Sequence, residues 1–166
     1  MSYLRLRLLP FALALLALAG CDAPVDDAGA FSFGFSGART ARFDGAAEFV
    51  VGSCRSLSFR SGEATLSLQT GCPEPDYNDY FRPGTLRVAP ERVDSAAFVF
   101  FYDGADRRAY HGTGGTVEIT SESDARVTGR FDVEARRLRF DNQIDTTGTP
   151  LRIVGTFVAR GLAGLD

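Results

Sequence analysis

Val127-Thr128-Gly129-Arg130-Phe131-Asp132-Val133 and Ile153-Val154-Gly155-Thr156-Phe157-Val158-Ala159 repeat one pattern: an apolar residue, a glycine, a phenylalanine and a small apolar residue at every second position. A period of two is that of a strand with one face toward a core, because successive side chains point to opposite sides of a sheet. A glycine inside a strand packs nothing of its own, so its use at matching places implies that a large ring from a neighbouring strand lies over it. The two stretches are therefore expected in the same core layer.

The same period runs outward from them. Phe31, Phe33 and Phe35 alternate with small polar or glycine positions, and Phe43, Gly45, Ala47, Phe49 and Val51 continue the pattern after a short polar break at 37–40, which reads as a hairpin. Residues 57–60 and 64–69 form a second hairpin turning at Gly62, and 85–88 a short strand. Residues 96–102 are apolar on both faces and are expected to be a central strand. A turn at 103–106 leads to a return strand at 107–113; Gly114-Gly115 predicts a break, followed by strands at 116–121 and 126–135. Residues 138–142 suggest one further short strand. No segment has a helical period. Together these runs predict an all-β fold, an antiparallel β-sandwich of about 8–10 strands or, alternatively, a closed meander barrel.

The N-terminus carries a different signal. Arg5 and Arg7 precede an apolar run over 8–19 that contains Pro10 and is shorter than the roughly 20 residues a spanning helix needs. It ends in Leu18-Ala19-Gly20-Cys21. That tetrapeptide resembles the lipobox of bacterial lipoproteins. The resemblance implies cleavage before Cys21, acylation of that cysteine, and a soluble domain held on a membrane of the cell envelope without spanning it. Asp22 resembles the inner-membrane retention signal of enterobacterial lipoproteins. The stretch 115–134 is similar to hairpins in small uncharacterised envelope lipoproteins, a likeness that implies no activity.

On this reading residues 1–20 are the signal peptide, 21–29 the lipidated cysteine with a flexible tether, 30–160 a single domain and 161–166 a tail. Eight tether residues at roughly 3.3 Å each reach some 25 Å from the lipid. Loss of Arg5 and Arg7 leaves 16 basic against 21 acidic side chains, a balance of −5 that disfavours nucleic acid as a partner. The 146 residues from Cys21 onward suffice for one core. With Cys21 acylated, Cys54 and Cys72 remain as an even pair in an oxidising compartment, flanking the hairpin that turns at Gly62, and are expected to be disulfide-bonded.

Three prolines exclude ladder pairing over most of 73–83. Its aromatics and arginine, Tyr77, Tyr80, Phe81 and Arg82, are candidate ligand-binding residues; the rival reading is a lid over one end of the core. Glu74, Asp76, Asn78 and Asp79 could offer oxygens to a hard cation, although the EF-hand order is missing and a solvated acidic loop is the plainer reading. The single histidine, His111, has no nucleophile motif beside it and reads as an ordinary strand-end residue. The glycines after it lack the strand, helix and third glycine of a dinucleotide site. No cofactor is implied.

Two functions remain. The first is a non-enzymatic binding or structural lipoprotein, partnered by carbohydrate, peptide or an envelope protein. The alternative is a carboxylate-dependent, glycosidase-like hydrolase using residues such as Asp103, Asp106, Glu118 and Asp141. Two convergent acids of raised pKa in a deep pocket would mark the hydrolase; an exposed aromatic rim would mark the binder.

Overall fold

The computed structural model describes residues 29–51, 55–70, 82–91, 96–123 and 125–161. Their regular structure is entirely β: β1 (Ala30–Gly37), β2 (Ala41–Val51), β3 (Arg55–Ser61), β4 (Ala64–Thr70), β5 (Gly84–Val88), β6 (Ala96–Asp103), β7 (Arg108–Ser123), β8 (Arg126–Arg137) and β9 (Leu151–Gly161). Nine strands fall within the expected number. Apart from β5, which lies between β6 and β7, neighbouring strands follow one another in sequence and pair antiparallel, and β9 returns to β1 from Ala30↔Val158 to Gly37↔Leu151, so the hydrogen-bonded ring closes. Closure leaves neither β1 nor β9 as an unpaired edge.

The two repeats that open the sequence reading face each other. In the β8–β9 register Gly129 stands opposite Phe157 and Phe131 opposite Gly155, while Phe33 of β1 stands on the other side of Gly155. Each glycine lies under a ring. A Cβ at Gly129 would sit 2.6 Å from Phe157 Cζ, and one at Gly155 would sit 2.8 Å from Phe131 Cζ while striking Phe33. The interior continues as a cluster of rings: Phe33 contacts Phe31 at 5.2 Å, Phe43 at 5.1 Å and Phe101 at 5.9 Å between centroids, and Phe59 contacts Phe157 at 5.2 Å. Phe31, Phe33, Phe59, Phe101, Phe131 and Phe157 are all buried. Each buried ring contributes roughly 1.5–3 kcal/mol, more than any exposed ion pair on the outside.

Outward positions on β2 and β8 are largely polar or charged, as in Arg42, Asp44 and Glu48 of β2 and Arg130, Asp132 and Glu134 of β8. An apolar interior under a charged exterior is the reverse of a membrane-spanning barrel, whose outer band must be apolar.

Two local expectations are corrected. Gly114-Gly115 does not break the chain. β7 runs through as one strand of 16 residues, with a register shift between Gly112 and Gly114 and a left-handed φ of 103° at Gly115, so the glycines make a bulge instead of an end. Residues 138–142 form no full strand. Leu138 makes a single bridge to Ile144 around a turn in which the Asn142 amide donates to the Arg139 carbonyl at 3.0 Å. β6 is a central strand as expected, paired with β4 on one side and with β7 and β5 on the other, but its outer face is uncovered: Val99 and Phe101 are buried in the ring, whereas Phe98 and Phe100 are half-buried on its outside and Tyr102 is 39% exposed.

Between β6 and β7 the sheet splits. They pair directly from Phe100↔His111 to Asp103↔Arg108, and β5 fills the widening gap beyond, antiparallel to β7 and parallel to β6 at Arg87↔Ala96 and Val88↔Ala97. A strict meander is thereby modified at one place.

Gly155→Ala should lower stability by about 1–3 kcal/mol, the cost of an extra carbon in a filled core. Gly114→Ala, whose added carbon meets nothing within 4 Å, should stay within about 0.5 kcal/mol of wild type in the same urea titration.

Candidate functional site

Strand direction sorts the loops. β1, β3, β6 and β8 run one way and β2, β4, β7 and β9 the other, so the turns at 38–40, 62–63 and 104–107 and the connection 138–150 gather at one end. Ala30, where the chain enters β1, lies at the opposite end with the β7–β8 turn and Gly161. The two ends have different chemistry.

At the loop end, Arg39 reaches from the β1–β2 turn to the β6–β7 turn. Its guanidinium pairs with Asp103 at 2.5 Å and with Asp106, and its Cζ lies 5.0 Å from the centroid of the Phe35 ring. Asp103 is 2% exposed, and this arginine is its counter-charge. The cation thus joins two turns at the mouth of the ring, covers the Phe35 ring and holds the turn that follows Asp103.

That turn delivers Arg107 and Arg108 to a groove outside the ring. Phe100 and Tyr102 of β6 form one wall; Arg137, Arg139 and Phe140, from the end of β8 and the following turn, form the other. The groove has a volume of about 280 Å³ and adjoins a second hollow of about 280 Å³ that shares Arg137, Arg139 and Phe140 and adds Asp141 and Asp145. Phe140 is wholly in solvent, at 106% of its reference exposure. Among the described residues, Arg107, Arg108 and Arg137 have no carboxylate partner, and Arg139 has Asp141 only at 3.8 Å. Unpaired guanidinium groups beside uncovered rings constitute a surface ready for an anionic, ring-bearing ligand.

Two larger hollows on the β7–β8–β9 face, of about 450 and 380 Å³, do not share this character. Their charges are already neutralised: Arg130 Nε donates to Glu118 at 2.7 Å, and Arg152 holds both oxygens of Asp132 at 2.9 and 2.6 Å. These hydrogen bonds hold the Asp132 carboxyl below its usual pKa, and Arg152 is raised in turn. Asp145 is also lowered, first by the Thr147 hydroxyl and amide and further by the Gly148 amide, while Arg136 donates to the Thr146 and Gly148 carbonyls at 3.2 Å. The 138–150 connection is therefore a hydrogen-bonded structure that can hold Phe140 outward.

The carboxylates considered for hydrolysis are dispersed. Asp103 and Asp106 share Arg39, Glu118 faces Arg130, and Asp141 lies beside Arg139. The carboxyl shifts resolved at Asp132 and Asp145 are downward, opposite to what a general acid requires. His111 packs edge-on against Phe98 at 4.6 Å and bonds to the Pro90 carbonyl, and burial lowers its pKa. Among the described residues no three potential metal ligands converge.

Cys21, Cys54, Cys72, the cation-ligand candidates Glu74, Asp76, Asn78 and Asp79, and the aromatics Tyr77, Tyr80 and Phe81 lie outside the described residues. Arg82 is described and exposed. The groove residues were not selected by sequence reasoning. Their only linear signals are the doublets Arg107-Arg108 and Arg136-Arg137 and a phenylalanine between Arg139 and Asp141 where strand alternation has ended.

Comparison with protein-family models, characterised proteins and solved structures finds no match to this chain.

Arg39→Ala should cost about 3 kcal/mol by leaving Asp103 buried without its counter-charge, and Arg39→Met with Asp103→Leu should recover most of that loss. Equal stability of the wild type and Arg39→Ala in thermal melts would refute the role given to this pair.

Proposed function

We propose that the chain is a lipid-anchored lipoprotein of the bacterial cell envelope, its domain lying in the periplasm or at the cell surface as a non-enzymatic binding module. Acylated Cys21 and the tether over 22–29 hold the domain to a membrane, and the arginine–aromatic groove meets the partner. One observation carries this reading. The chain enters β1 at the end opposite the groove, so a tether leading back from Ala30 leaves the groove turned toward the aqueous side. The lipobox at Leu18-Ala19-Gly20-Cys21 supplies the anchor in this account.

A ring-filled interior also favours external binding. β-Barrels that carry small ligands inside leave their interior open, whereas Phe33, Phe59, Phe101 and Phe131 fill the interior of this fold. The account includes a Cys54–Cys72 disulfide. The register Arg55↔Thr70 brings together the described ends of β3 and β4, one residue after Cys54 and two before Cys72. Such a bond closes the hairpin at the tethered end and adds on the order of 3 kcal/mol by restricting the unfolded chain.

Fractionation of the producing cells tests both features. Cys21→Ser should leave the membrane fraction, and non-reducing mass analysis of wild-type protein should find Cys54 and Cys72 joined. An uncleaved, membrane-held Cys21→Ser protein would overturn the anchor; two free thiols in protein taken directly from the envelope would overturn the bond.

A further inference from the structure

Resting on the binding-module reading, we propose that the groove between Tyr102 and Phe140 is a subsite for an acidic polysaccharide, a chain of sugar rings bearing carboxylates. Three observations select that chemistry. First, two hollows share Arg137, Arg139 and Phe140 and so lie side by side, as successive units of one chain would require. Second, the apolar C–H face of a pyranose can cover an uncovered aromatic ring while its rim stays hydrated; Tyr102 and Phe140 are such rings, flanked by guanidinium groups shaped for two-point pairing with a carboxylate. Third, Asp141 and Asp145 line one of these hollows. Carboxylates repel a ligand that offers only phosphates, such as a nucleic-acid backbone or an anionic lipid surface, but they accept hydrogen bonds from sugar hydroxyls. A ligand with both acid groups and hydroxyl donors satisfies both kinds of residue.

The backbone supplies an independent sign that Arg107 is kept for its side chain. Arg107 has φ +52° in the β6–β7 turn, where its amide donates to the Gly104 carbonyl at 3.3 Å. Glycine is the residue that occupies this left-handed conformation without cost, and asparagine tolerates it, as Asn142 does at φ +60° on the other wall. An arginine there works against local stability. Its guanidinium lines the groove without an ion-pair partner among the described residues, which accounts for its presence if it binds an anion.

The full lipidated chain in detergent micelles is titrated with polygalacturonate, with neutral dextran, with single-stranded DNA and with inorganic polyphosphate. Polygalacturonate should bind, more weakly as salt rises, and dextran should not. Arg107→Gly and Phe140→Ser should each weaken binding at least tenfold, with Arg107→Gly melting at the wild-type temperature or above it and Phe140→Ser unchanged. DNA or polyphosphate binding as tightly as polygalacturonate, through the same two residues, would overturn the glycan assignment and leave the groove a general anion site. No binding of any anionic probe would overturn both this inference and the groove's part in the binding-module reading. Undiminished polygalacturonate binding by both variants would place the glycan elsewhere and refute the inference.

Discussion

The reciprocal fit of phenylalanine over glycine across β8, β9 and β1 is the constraint on which the rest of the molecule depends. Gly129 receives Phe157, and Gly155 receives Phe131 from one side and Phe33 from the other. Both glycines are required where they are, because rings approach to within 3 Å of the position a Cβ would take. A slip of one residue would bring Arg130, Asp132 and Thr156 to the interior, a loss no surface contact could offset. The interlock therefore sets register, and register brings β9 against β1 to close the ring. Rings from the remaining strands fill the inside.

A filled interior moves binding to the surface, and closure determines which surface is available. No strand of the β1–β9 seam offers an edge for a peptide to extend, so recognition falls to side chains on loops and outer faces. Those loops are held at the mouth by Arg39, which binds Asp103 and Asp106 on the segment that continues into Arg107 and Arg108. One buried carboxylate thus links core stability to the placement of groove arginines. On the facing side, Arg136 and Asp145 brace the connection that presents Phe140.

Much of the fold was legible because period-two spacing is a local property. The hairpins, the turn at Gly62 and the placement of Gly129 and Gly155 in one layer all follow from short runs of residues. Whether the ends of the sheet pair is not local, which left a sandwich and a barrel as alternatives; the β1–β9 register closes the hydrogen bonding. Gly114-Gly115 reads as a break from the sequence, and its bulge shows only when β8 is seen beside it. The outward aromatics of β6 mislead for a related reason: Phe98, Phe100 and Tyr102 imitate a strand covered on both sides. The groove itself assembles residues about forty positions apart, from 100 to 142, and is visible only after β6, β7 and β8 are laid together.

The claim that closure of the ring organises the molecule is tested most directly by amide hydrogen exchange along the β1–β9 seam. Closure predicts that the β1 amides directed at β9 and the β9 amides directed at β1 exchange as slowly as those in the β8–β9 ladder, all opening only with global unfolding. Rapid exchange of the seam amides while β8–β9 stays protected would show two open edges and contradict the account.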